Sequence, residues 1–103
     1  MNTIDLANYG PVIPVIVINK IEDALPMAES HLEGGIRVLE VTMRSSCALD
    51  AIELISNKLP DAITGAGTLR TKADAIQAKN AGSKFAVSPG FTVDLSNECK
   101  RID

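Results

Sequence analysis

The chain has 103 residues, 46% of them apolar, 22% charged and 3% aromatic, with 10 basic side chains against 13 acidic ones. A formal charge of -3 gives no basic field for phosphate backbones or anionic lipid, and one Tyr and two Phe make no stacking platform, which argues against nucleic acid as a partner. No apolar run approaches the roughly 20 residues of a membrane span, and Met1-Asn2-Thr3-Ile4-Asp5 lacks the cationic start of a signal peptide, so the cytoplasm is the expected compartment.

The first apolar run, Pro11 to Ile18, reads PVIPVIVI and predicts an interior parallel strand buried on both faces, with Pro14 at an unpaired position. A helix follows over Ile21 to Glu33, with Ile21, Ala24, Leu25, Ala28 and Leu32 on one side and Pro26 tolerated near the first turn. Gly34-Gly35 ends it. Ile36 to Thr42 is the second predicted strand, and Ser46 to Leu59 the second helix, with Ala48, Ala51, Ile52, Ile55 and Leu59 on its apolar side and Pro60 at its end. Ile63 to Ala66 is a third strand, leading into Gly67-Thr68. Thr71-Lys72-Ala73-Asp74 has a capping-box pattern, which opens a helix that closes near Gly82. Lys84 to Val87 is a fourth strand, Ser88-Pro89-Gly90 its loop, and Thr92 the N-cap of a last helix through Leu95 and Cys99.

Alternating strands and helices with a repeat of about two dozen residues predict an α/β domain of parallel βα units with no internal boundary. Four units suit either an open doubly wound sheet or half of an eight-stranded barrel, and periodicity does not choose between them. In both arrangements, function gathers at the carboxyl ends of the strands. The residues to watch are therefore Asn19-Lys20, Thr42 to Ser45, Gly67 to Arg70 and Ser88 to Phe91.

Glu40 is the most informative of the candidates, because a carboxylate in the middle of an apolar strand is costly unless it is paired or put to use. Strand alternation places Val38, Glu40, Thr42 and Arg44 on one face and Leu39, Val41 and Met43 on the other. A structural Glu40/Arg44 pair and a working site fit this spacing equally well. Gly65 and Gly67 permit close backbone approach and Thr68 offers a hydroxyl, yet tight packing explains the glycines without a ligand, since neither P-loop nor GxGxxG spacing is present. His31 reads as helix-end surface, Cys47 and Cys99 have no metal-ligand spacing, and no metal or other cofactor is expected. Of the six lysines, only Lys20 lies near a strand's carboxyl end, in a polar loop.

Four motifs in register carry a resemblance: Gly10-Pro11-Val12-Ile13-Pro14-Val15-Ile16-Val17, Gly35-Ile36-Arg37-Val38-Leu39-Glu40-Val41-Thr42-Met43-Arg44, Gly65-Ala66-Gly67-Thr68 and Phe85-Ala86-Val87-Ser88-Pro89-Gly90. In order and spacing they resemble the bacterial KDPG/KHG aldolase family, the 2-dehydro-3-deoxy-phosphogluconate and 4-hydroxy-2-oxoglutarate aldolases. The resemblance implies a (β/α)8 TIM barrel, of which this chain carries the first four βα units, the N-terminal half. It also implies a metal-free class I aldolase, usually a homotrimer, that cleaves 2-keto-3-deoxy-6-phosphogluconate to pyruvate and glyceraldehyde 3-phosphate through a lysine Schiff base. Glu40 then matches the general acid/base, Arg44 and Thr68 the groups that hold the pyruvate carboxylate, and Pro89 a residue lining the same pocket. The family's Schiff-base lysine lies on the sixth strand, and its phosphate-binding residues on the seventh and eighth. No lysine here matches it. This leaves two alternatives beside the aldolase, a half-barrel module that self-associates or binds a keto acid without turnover, and a phosphogalactonate-type enzyme of the same family.

Overall fold

The computed structural model describes residues 8–9, 12–87, 97 and 99. Its elements are β1 (Val15–Ile16), a 3-10 turn (Ile21–Asp23), α1 (Ala24–Glu33), β2 (Val38–Thr42), α2 (Ala48–Lys58), β3 (Ile63–Gly67) and α3 (Lys72–Asn80). The predicted strand entrance at Pro11, the Ser88-Pro89-Gly90 loop and most of the last predicted helix lie outside the described residues.

Each helix begins and ends for a local reason. The first predicted helix is split, because its opening residues Ile21–Asp23 form a 3-10 turn and only Ala24–Glu33 is α-helical. Pro26 then falls at the third position of α1, where its missing N–H is one the helix leaves unpaired anyway. In α2 four of the five residues of the expected stripe, Ala48, Ala51, Ile52 and Ile55, are buried, while the fifth, Leu59, is half-buried just past the helix end. Leu59 closes that helix by donating its N–H to the Ile55 carbonyl at 2.9 Å, one residue before Pro60. Thr71 and Asp74 form the complete capping box of α3: the Asp74 N–H donates to Thr71 Oγ1 at 3.1 Å, and the Thr71 N–H donates to Asp74 Oδ2 at 3.3 Å.

The strand order β1-β2-β3 is parallel throughout and follows chain order. The fourth predicted strand is reduced to a parallel bridge between Ala66 and Ala86. That bridge rests on the Ala66 N–H donating to the Phe85 carbonyl at 3.1 Å and the Val87 N–H donating to the Ala66 carbonyl at 2.9 Å. Each unit thus joins the edge left by the previous one. With right-handed crossovers, such one-way growth keeps all helices on one face, whereas a doubly wound sheet reverses direction and needs helices on both. The buried residues bear this out, since Ala24 and Ala28 of α1, Ile52 and Ile55 of α2, and Ala75 and Ala78 of α3 share one cluster with Leu39, Val41 and Ala66. The choice left open by periodicity falls to the barrel-type arrangement.

β1 corrects the sequence reading. Pro11 to Ile18 was expected to be buried on both faces, but Ile16 and Ile18 are buried while Val12, Ile13, Val15 and Val17 are exposed. Paired strand is confined to Val15–Ile16, directly after Pro14, whose carbonyl accepts the Glu40 N–H at 3.1 Å. Pro14 thus stands just before the paired strand, where its missing N–H costs no ladder bond, although its carbonyl still bonds across to β2. Val15 pairs in register with Glu40, so Val15 and, by alternation, Val17 belong to the face of the sheet turned away from the helices.

Candidate functional site

Glu40 sits in the middle of β2 and is half-buried. Its neighbours Leu39 and Val41 point into the helix-facing core, so alternation sends Glu40 to the opposite, inner face, as the sequence pattern predicts. Register pairs Glu40 with Gly65 and Thr42 with Gly67. The carboxylate itself lies over Gly67, since a Cβ built on that glycine would fall against Glu40 Oε1 and stand 2.9 Å from its Cδ and Cγ. This brings the acid to the carboxyl end of β3, one residue from Thr68.

Thr68 leaves β3 with φ of +61, the one non-glycine residue with a positive φ among the described residues. For a β-branched side chain this left-handed conformation is strained by about 1–2 kcal/mol. Strain of this kind collects where a site dictates backbone geometry, and here it falls on the hydroxyl already singled out. Arg44 is exposed, two residues beyond the end of β2. Because Thr42 pairs with Gly67, the segments carrying Arg44 and Thr68 leave the sheet from adjacent points at the same edge. No hydrogen bond or ion pair joins Glu40 to Arg44 among the described residues. The structural Glu40/Arg44 pair is therefore not what holds the strand end. Pro89 lies outside the described residues.

Two neighbouring polar groups do structural work. Thr42 is buried, and its Oγ1 donates to the Ile16 carbonyl at 3.3 Å, which ties β2 to β1. Cys47, at the start of α2, donates its Sγ to the Ile18 carbonyl at 3.0 Å and fastens the loop after Arg44 to the end of β1. Sequence reasoning missed this second link because it spans a sequence separation of 29 residues. It also read Gly65 and Gly67 as general close packing without saying what packs there. The occupants are the Phe85 ring over Gly65 and the Glu40 carboxylate over Gly67.

The remaining chemistry-bearing residues stay outside this constellation. His31 Nδ1 donates to the Met27 carbonyl at 2.7 Å on α1, as expected of a residue in the last turn. Lys20, Lys58, Lys72, Lys79 and Lys84 are all exposed. Among the described residues no cluster of three or more His, Cys, Asp or Glu could hold a metal ion, and no helix is long and apolar enough to cross a membrane.

Comparison with known proteins agrees with this architecture. The chain is 54% identical over 86 residues to the 2-dehydro-3-deoxy-phosphogluconate aldolase of Dickeya dadantii, covering 84% of this chain and 40% of that protein. It is 51% identical, over the same shares, to the KHG/KDPG aldolase of Escherichia coli K12. The fold superposes with a TM-score of 0.88 and 45% identity on the 2-keto-3-deoxy-6-phosphogluconate aldolase of Zymomonas mobilis ZM4, crystallised with 3-phosphoglycerate, over 94% of this chain and 46% of that one. A TM-score of 0.87 at 48% identity relates it to the KDPG aldolase of Legionella pneumophila with pyruvate captured as a covalent carbinolamine, over 90% of this chain and 45% of that one. The chain thus spans less than half the length of these relatives, and its sheet is part of a TIM barrel. A family model for KDPG and KHG aldolase matches residues 4–103 and so takes in the Glu40 strand, the Gly65-to-Thr68 strand end and all three helices: the chain belongs to the KDPG and KHG aldolase family.

Proposed function

We propose that this chain supplies the proton-transferring and carboxylate-holding half of a class I aldolase that cleaves 2-keto-3-deoxy-6-phosphogluconate to pyruvate and glyceraldehyde 3-phosphate. Cleavage of 4-hydroxy-2-oxoglutarate to pyruvate and glyoxylate belongs to the same chemistry. The observation that carries this reading is the Glu40 carboxylate, drawn across Gly67 to the strand end where Thr68 and Arg44 depart. A keto acid bound there would place its carboxylate on the Arg44 guanidinium and the Thr68 hydroxyl. Its reacting carbonyl would then lie toward Glu40, which passes protons to and from the oxygen as the carbinolamine forms and collapses and as the carbon–carbon bond breaks. The amine that forms the Schiff base belongs to the lysine of the family's sixth strand. Pro89 would line the same pocket, and the assembled enzyme would be a homotrimer in the cytoplasm.

The test is Glu40→Gln with the full barrel present. Turnover in a coupled pyruvate-release assay is expected to fall by about 10²- to 10⁴-fold, the usual contribution of a general acid–base group. Cleavage at the wild-type rate would remove Glu40 from the role.

One observation favours a second reading. A Schiff-base lysine must be desolvated, and every described lysine is exposed. Taken alone, the 103-residue chain would then be a module that binds a keto acid without turning it over. Borohydride reduction in the presence of labelled pyruvate separates the readings, because a covalent adduct on this chain would sink the non-catalytic one.

A further inference from the structure

We propose that Gly67 is a positioning residue for Glu40, and that Gly65 and Phe85 act with it to steer the carboxylate toward the carboxyl end of the sheet. The functional consequence rests on the acid/base reading of Glu40, whereas the geometry does not.

Register alone would set Glu40 across from Gly65. That place is taken, because the Phe85 ring occupies the position that a Gly65 side chain would fill. Glu40 instead extends one pair further along the strand direction and lies over Gly67. Among the described residues, positive φ at glycine is confined to Gly35 and Gly82, so backbone conformation gives no reason for glycine at position 67. What the position requires is the absence of a side chain. On the inner face of β3 the side chains thus run Ile63, Gly65, Gly67, and the space released toward the carboxyl end is filled first by Phe85 and then by Glu40. Any Cβ at position 67 displaces the carboxylate. Since a carboxylate is the mobile end of a flexible side chain, Gly67→Ala should move Glu40 before it disturbs the sheet.

A thermal-denaturation cycle tests the coupling through the variants Gly67→Ala, Glu40→Ala and the double variant. The loss of Tm caused by Gly67→Ala is expected to shrink by more than half in the Glu40→Ala background. An equal loss in both backgrounds would overturn the proposal. If Gly67→Ala alone fails to fold, the double variant decides: recovery of a cooperative transition supports the clash with Glu40, and continued failure refutes it. Carbon-detected NMR of side-chain carboxyls in glutamate-labelled protein provides a second readout, in which the Glu40 resonance moves in Gly67→Ala while those of Glu22, Glu29 and Glu53 stay in place. An unmoved Glu40 signal would count against the proposal. In the aldolase assay, Gly67→Ala should lower kcat by up to about 10²-fold, with a much smaller change in KM, as expected for a misplaced proton-transfer group. Absence of aldolase activity in the wild-type protein with the full barrel present would remove the proposed function but leave the denaturation and NMR arms able to decide the positioning role.

Discussion

The two faces of the same three strands are built on opposite rules. Toward the helices, Leu39, Val41 and Ala66 are fully buried among alanines and isoleucines, and the face contributes stability through the apolar area it removes from water. Toward the inside, the same strands present an exposed Val15 and a half-buried carboxylate beside buried Val38, Thr42 and Ile63, with Gly65 making room for the Phe85 ring and Gly67 for the carboxylate. The helix-facing side is packed with apolar groups, whereas the inner side is open at Val15 and half-open at the carboxylate. Strands of a parallel sheet normally read as continuous apolar runs, so the polar break at Glu40 sets the inner face apart from the packed one.

The sharpest way to break this comparison is to truncate one residue on each face. Leu39→Ala should cost about 2–5 kcal/mol in urea denaturation, because Leu39 is 0% exposed and its removal leaves a cavity. Val15→Ala, at a site 60% exposed, should change stability by less than about 0.5 kcal/mol. Equal losses would mean that the inner face is covered in solution as well as the outer one.

A smaller effect probes a flaw on the helix-facing side. Thr64 is 1% exposed, and its Oγ1 has no hydrogen-bond partner among the described residues. Thr64→Val keeps the shape and removes the stranded hydroxyl, so the denaturation midpoint should rise, corresponding to a gain of about 1–2 kcal/mol. A loss of stability would show that the hydroxyl is satisfied in solution. The smallest expected change concerns the strained residue at the site. Thr68→Gly should relieve the positive φ and stabilise the chain by about 1 kcal/mol or less, since glycine also gains freedom in the unfolded state. At the same time it should weaken pyruvate binding, measured by calorimetry, because the hydroxyl is lost. Stabilisation without loss of binding would exclude Thr68 from the carboxylate-holding role.

The outer face could be read directly from sequence. The stripe Ala48, Ala51, Ile52 and Ile55 and the capping box at Thr71 are local patterns, with helical spacing and a cap reaching three residues ahead; the capping box stands as read, and the stripe does so except for Leu59, which falls just past the helix end. The inner face was harder. Burial of Pro11 to Ile18 on both faces was inferred from continuous hydrophobicity, which reports what a segment tolerates and not what lies against it; here only the helix-facing side has a partner among the described residues. Glu40 stood out as a carboxylate within an apolar strand, and Arg44 and Thr68 as polar groups just past strand ends. The reason for Gly67 did not, because its neighbour comes from another strand and is set by a third residue, Phe85.

The chain by itself determined the alternation of strands and helices, the capping box at Thr71 and the odd carboxylate in β2, since these depend on side-chain chemistry within a few residues. Only the tertiary structure decided that the strands add in order on one edge, that α1, α2 and α3 lie on one side, and that the Glu40 carboxylate rests over Gly67. Those outcomes follow from crossover handedness and from the space left between neighbouring strands. Both come into being only when segments distant in sequence are packed together.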